Sequence, residues 1–162
     1  MTATSKKEQS AFSIDEKDYQ ILRLLQSNAK LTVREIASKI HLSPTPVHER
    51  IKRLEQSGTI KQYVALLDSR MVNRGIKVIC HVSLSEHNKR TGKVFIDAIQ
   101  KAPEVIECYT ISGDFDFMLK VIAESMEAYH SFYMNYLSEI KGIGQTKSTF
   151  VMETIKETHQ II

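Results

Sequence analysis

Only three residues, His41-Leu42-Ser43, separate two stretches that each carry the marks of a helix, and this short joint most constrains the fold. Before it, Thr32-Val33-Arg34-Glu35 has the pattern of a capping box, in which Thr32 takes the Glu35 backbone N–H and Glu35 reaches back. Ile36, Ala37 and Ile40 form that helix's apolar stripe. After the joint, Ser43 stands as an N-cap and Pro44 fills the first helical position, where a missing N–H costs nothing. Val47, Ile51 and Leu54 follow at i, i+4, i+7 spacing, and Gly58 closes the helix. A further helical pattern runs from about Asp15 to Gln26, with Ile14, Ile21, Leu22, Leu24 and Leu25 apolar, Ser13 or Asp15 as its cap and Asn28 as its stop. Two short helices joined by three residues, with a third to wall the core, read as a helix-turn-helix.

The periodicity then changes. Thr59 to Leu67 is β-rich and predicts a hairpin arm or linker strand; Val78 to Leu84 predicts a strand and Lys89 to Lys101 a helix. Val105 to Ile111 and Phe115 to Ile122 read as strands around Ser112-Gly113-Asp114. Met126 to Ile140 reads as a helix broken by Gly142 and Gly144, and Thr149 to Ile155 as a last strand. The order β-α-β-β-α-β is the ferredoxin-like arrangement, so the predicted fold class is α+β: a three-helix, winged-helix-like head and a ferredoxin-like domain. The expected division is a mobile arm at 1–12, the head at 13–62, a linker strand at 63–76, the ferredoxin-like domain at 77–157 and a tail at 158–162. One face of such a sheet is bare of helices, and a second copy of the chain is its expected cover.

Charge distribution supports a polyanion partner for the head. The net charge is +3 overall, but residues 1–62 carry +4 and residues 63–162 carry −1. With 42% hydrophobic and 25% charged residues, wholesale disorder is excluded. No apolar run approaches the roughly 18 residues of a membrane span, and MTATSKKEQS lacks the apolar core of a secretory signal. Cys80 and Cys108 form no CxxC pair, so neither a disulfide framework nor a cysteine zinc site is expected, and a reducing cytoplasm fits.

The third helix displays Thr45, His48, Glu49, Arg50, Lys52 and Arg53 beside its apolar stripe. A recognition helix enters the major groove by its N-terminal half, so Ser43, Thr45 and His48 would meet base edges or nearby phosphates, and Arg50, Lys52 and Arg53 phosphates or guanine. The helix starts Thr32-Val33-Arg34 and Ser43-Pro44-Thr45 present backbone N–H groups (at Pro44 there is none), and helix N-termini attract anions. The alternative is a solvated amphipathic helix with no ligand. Around Gly113, Asp114 and Asp116 share one face of the strand. A hairpin tip with two solvated acids is the simpler reading; the alternative is a site for a ligand's ammonium group. No nucleophile, general base or phosphate loop accompanies these acids, and the six histidines show no metal-ligand spacing. No cofactor, no metal and no catalytic residue is expected.

Taken together, these segments resemble the leucine-responsive regulatory protein / AsnC family of transcription regulators. The matching pieces are Asp15, Asp18 and Ile21 to Gln26; Leu42 through Ile60, opening on LSPTPV; Glu107 to Asp116, ending in SGDFD; and Val151-Met152-Glu153. The resemblance spans roughly residues 14–157 and implies a double-stranded DNA partner, a DNA helix over 43–57 and homodimers that assemble to octamers. It also implies a small effector, an amino acid, held near Thr110, Ser112, Gly113, Asp114 and Asp116, with Gln145, Thr146 and Ser148 lining the cleft from a neighbouring subunit. Thr110 and Ser138 stand where leucine-responsive members are apolar, which argues against leucine as the effector, and His48 replaces an expected apolar residue on the DNA helix. The predicted function is a sequence-specific transcription regulator tuned by that effector. The alternative is a nucleoid-packing protein without specific sites or an effector response.

Overall fold

The computed structural model describes residues 13–162; the expected mobile arm at 1–12 lies outside the described residues. The chain divides into two compact units, one running to Ala65 and including Lys156–Ile162, the other Leu66–Ile155.

The first unit, the head, holds α1 (Glu16–Ser27), α2 (Val33–Lys39) and α3 (Pro44–Gln56). Each start follows local chemistry. Asp15 and Asp18 form a capping box on α1, and Thr32 and Glu35 form the predicted one on α2. Ser43 is the N-cap of α3 by backbone geometry, yet its side chain makes no capping bond. Of the two N–H groups an N-cap hydroxyl takes, that of the third helical residue is missing because it is Pro46, and that of the second, Thr45, is present but not engaged by Ser43. His41, with φ of 55°, makes the sharp step of the joint, and Gly58 ends α3 at φ of 75°. Ile21, Leu22, Ile36, Ala37, Ile40, Val47 and Leu54 are buried together as the core. The C-terminal residues return to this unit: the Gln26 side-chain amide donates to the His159 carbonyl and its oxygen accepts from the Ile161 and Ile162 N–H groups.

Residues 59–75 contain no strand, so the linker strand expected at 63–76 and the hairpin arm at 59–67 are not formed. A strand needs a neighbouring ladder for its backbone groups, and this stretch has none among the described residues. Leu66, Leu67 and Met71 stand exposed along it.

The second unit contains β1 (Ile76–Leu84), α4 (Lys89–Ile99), β2 (Val105–Thr110), β3 (Phe117–Ala123), α5 (Met126–Phe132) and β4 (Ile143–Phe150). The sheet order β2-β3-β1-β4, antiparallel throughout, is the ferredoxin-like topology. Val78, Cys80, Val82 and Leu84 of β1 and Phe117, Leu119, Val121 and Ala123 of β3 alternate inward. They pack with Phe95, Ile99, Tyr129, Phe132 and Leu137 on the helical face. The long second helix of the sequence reading is two elements: α5 passes into a π-helical turn at Tyr133–Leu137, closed by the Ser138 N–H on the Tyr133 carbonyl at 2.9 Å. The last strand also differs from the expected Thr149 to Ile155. It begins at Ile143, because the polar Gly144-Gln145-Thr146-Lys147 segment pairs with β1 as an edge, where one side of the ladder is all that is needed.

Candidate DNA and effector sites

The orientation of α3 follows from its buried residues. Val47 and Leu54 are fully buried and Ile51 is half-buried. At about 100° per residue, the opposite arc carries Thr45, His48, Glu49, Lys52 and Gln56. All five are exposed, and none makes a hydrogen bond or ion pair within the described chain. Glu49 and Gln56 belong to this outward arc although the charge-based reading of the sequence did not place them in the site; a helical wheel drawn from Val47 and Leu54 finds them.

Arg50 and Arg53 lie elsewhere. Their side chains turn along α3 toward the start of α1. Arg50 Nη1 donates to Asp15 Oδ2 at 2.6 Å and to Asp18 Oδ1 at 2.8 Å, and Arg53 Nη2 donates to Asp18 Oδ2 at 2.6 Å. Asp18 has no solvent exposure. The Arg50 guanidinium holds the Asp15 carboxyl below the usual carboxylate range, helped by the Asp18 backbone N–H. The two arginines assigned to phosphates or guanine by sequence are therefore engaged inside the head. Their positive charge is matched by Asp15 and Asp18, 32 to 35 residues away in the chain.

The helix starts also offer less than the sequence implied. Thr32 gives both its N–H and its hydroxyl to Glu35 Oε2, at 2.7 and 2.8 Å, leaving the amides of Val33 and Arg34 at that end. At α3, Pro44 and Pro46 carry no N–H, so the available groups are the amides of Ser43 and Thr45 and the uncapped Ser43 hydroxyl.

In the sheet domain, Thr110, Ser112, Gly113 and Asp114 lie exposed around the β2–β3 turn, with Gly113 at φ of 113°. Asp116 is already engaged within the domain. Its Oδ2 accepts from the Leu84 N–H at 2.7 Å and its Oδ1 faces His87 Nδ1 at 3.1 Å, tying the turn to the end of β1. The three β4 residues do not act together. Thr146 and Ser148 lie on the helical face, where their hydroxyls bond the Tyr133 and Tyr129 hydroxyls. Gln145, paired with Ser83, lies on the opposite face and is exposed. Burial pushes the Tyr129 hydroxyl up to about 12 and raises the Cys80 thiol beside it, as suits packed rather than reactive groups. Cys108 lies in a strand as expected, the edge strand β2, and is exposed there. At the other end of the sheet, a surface pocket of about 580 Å³ is lined by Arg74, Glu104, Glu124, Ser131, Asn135 and Tyr136, among others, and contains none of the predicted effector residues. Among the described residues, no group of three or more His, Cys, Asp or Glu is placed to hold a metal, and no helix is long and apolar enough to cross a membrane.

A helical head with a solvent-facing recognition arc, followed by a separate ferredoxin-like domain, defines a two-part regulator: one part for DNA, one for a ligand. Comparison with known proteins agrees for both parts. Residues 14–61 match the winged helix-turn-helix DNA-binding family, and residues 77–161 match the Lrp/AsnC ligand binding domain. The leucine-responsive regulatory protein of Haemophilus influenzae is 36% identical over 150 residues, 93% of this chain and 90% of that protein. The transcriptional regulator AzlB of Bacillus subtilis is 35% identical over 145 residues, 90% of this chain and 92% of that protein. Among solved structures, a Neisseria meningitidis transcriptional regulator in complex with L-Met superposes with a TM-score of 0.87 at 34% identity, over 91% of this chain and 95% of that one. The chain belongs to the Lrp/AsnC family of transcriptional regulators, with a helix-turn-helix DNA-binding domain and a ligand-binding domain.

Proposed function

We propose that the protein is a cytoplasmic, non-enzymatic regulator that reads a specific DNA sequence with α3 and changes its DNA affinity or assembly when its sheet domain takes a free amino acid. The observation that carries the DNA half is the outward arc of α3: the side chains of Thr45, His48, Glu49, Lys52 and Gln56 are presented together, and none is engaged among the described residues. Ser43, which makes no capping bond, adds a hydroxyl beside the same end. Base edges are read from this arc, with Lys52, Arg34 and the Ser43 and Thr45 amides meeting phosphates.

The effector half is supported by the exposed turn at Thr110, Ser112, Gly113 and Asp114 and by the relative solved with L-Met. Asp114 provides the carboxylate for an ammonium group; Asp116 shapes the turn from within. The helix-free sheet face supports assembly through a second copy. It carries half-buried Ile79, Met118 and Ile122, exposed Tyr109, and the Phe115 ring at 5.3 Å from His81. A dimer places two recognition helices on half-sites about one helical turn apart, and further assembly to an octamer belongs to the same reading. The ligand acts only through its affinity difference between two states.

The test is fluorescence anisotropy with the duplex upstream of the protein's own gene and a scrambled duplex, at two salt concentrations, with and without L-methionine or a mixture of amino acids. Tighter binding to the native duplex, weakened by salt and shifted by an amino acid, is the expected result. Equal binding to both duplexes, unmoved by any amino acid, would mean an architectural DNA-packing protein instead.

A further inference from the structure

The Asp15–Asp18–Arg50–Arg53 cluster has a cost that packing alone does not justify. Asp18 is fully buried, and a buried carboxylate loses its hydration. Apolar side chains of similar size would join α1 to α3 without that loss. What distinguishes the charged version is the fate of the two arginines. Both stand on the flank of α3 that links the core stripe to the outward arc, and the Arg53 side chain keeps 47% of its exposure. If α3 enters the groove as proposed above, a guanidinium released on that flank is a candidate phosphate ligand. Arginine binds phosphates whatever the base sequence, so each such contact strengthens binding to every duplex alike.

The geometry of the carboxylates opposes this. Asp18 presents one oxygen to each arginine, at 2.8 and 2.6 Å, and Oδ2 also accepts the Asp15 backbone N–H at 3.1 Å. Asp15 caps α1 through the Asp18 N–H at 2.9 Å and gives its other oxygen to Arg50 at 2.6 Å. The α1 capping box is thus also the anchor of α3. We propose that Asp18, assisted by Asp15, is a specificity-determining residue: it withholds Arg50 and Arg53 from the DNA backbone and leaves discrimination to Thr45, His48, Lys52 and their neighbours on the outward arc. This inference rests on the DNA-reading function proposed above.

The test uses the full chain carrying Asp18→Asn or Asp15→Asn, titrated against the native upstream duplex and the scrambled duplex over a series of salt concentrations. Asparagine keeps the size and one acceptor oxygen but removes the charge. The guard predicts that Asp18→Asn tightens binding to the scrambled duplex, steepens the log–log salt slope by up to about one, since Arg50 keeps its bond to Asp15, and lowers the native-to-scrambled discrimination by roughly tenfold. Asp15→Asn, at a half-exposed position where asparagine still serves as an N-cap, is expected to steepen the slope by up to about one; it decides the matter should Asp18→Asn unfold. A purely structural clamp gives a different signature, with binding to both duplexes falling in proportion at an unchanged slope. That result, or unchanged affinity and slope in folded variants, overturns the proposal. Wild-type protein that fails to discriminate the duplexes would defeat the regulatory reading, while the salt slope on the scrambled duplex would still decide the guard.

Discussion

The head and the sheet domain fix their elements by different means. Among the described residues, the head buries seven apolar residues and adds a buried carboxylate held by two arginines, whereas the sheet domain buries fourteen core residues and joins its helix to its edge strand by neutral hydroxyl pairs. The seven buried side chains of the head are all aliphatic, whereas the sheet domain also buries the rings of Phe95, Phe117, Tyr129 and Phe132. The ion pairs tie the start of α1 to α3 through Asp15 and Asp18. The sheet domain gains its register from backbone ladders, so its polar contacts serve to seat α5 and the following π turn on β4.

This contrast can be broken first at the cores. Leu54→Ala and Leu119→Ala remove the same side chain from fully buried places, each at about 2–5 kcal/mol. The smaller head is expected to lose its fold from Leu54→Ala, with proteolysis spreading through 13–60 while the sheet stays resistant; Leu119→Ala should lower the sheet domain's thermal midpoint without exposing the head. Equal sensitivity of both units to both changes would erase the distinction. A smaller effect is expected at the hydroxyl pairs. Tyr129→Phe leaves Ser148 with only the Cys80 sulfur as a partner and should cost about 1–2 kcal/mol in denaturant unfolding, with a double-mutant cycle against Ser148→Ala showing coupling.

The two helix starts in the head make a sharper pair. Thr32→Ala removes a capping box and should cost about 1 kcal/mol of head stability. Ser43→Ala removes no capping bond, so stability should stay within about 0.5 kcal/mol while DNA affinity falls; a stability loss equal to that of Thr32→Ala would contradict the uncapped geometry. The smallest effect is in acid. Asp15, through Arg50, and Glu35, through the Thr32 N–H and hydroxyl, have carboxyls lowered in the folded head. A lowered folded value means the stabilisation is present above the unfolded value and is lost as pH falls through the folded one. Head unfolding followed by circular dichroism should therefore become easier below about pH 4, and less so in Asp15→Asn.

Much of the architecture was legible because it is decided locally. Thr32-Val33-Arg34-Glu35 forms its box from four adjacent residues, and β1 and β3 announce themselves by strict alternation, burying Val78, Cys80 and Val82 against Phe117, Leu119 and Val121. β4 was misplaced because an edge strand beginning Ile143-Gly144-Gln145 has neither alternation nor β-branched density at its start. The π turn at Tyr133–Leu137 leaves no period of its own in five residues. The site was less legible than the fold. Arg50 and Arg53 look like phosphate ligands until Asp15 and Asp18 are brought beside them by packing. Asp116 looks like a free acid until the end of β1 presents the Leu84 N–H. Charge read along a chain shows supply; only the fold shows what has already been spent.

The division of labour between the two units is tested most directly by hydrogen exchange on the full chain, alone, with the upstream duplex, and with L-methionine. The account predicts that DNA slows exchange at the Ser43 and Thr45 amides and along α3 and leaves the β2–β3 turn unchanged, whereas the amino acid slows residues 110–116 first. DNA protection centred on the sheet with α3 unaffected, or ligand protection confined to the head, would contradict it.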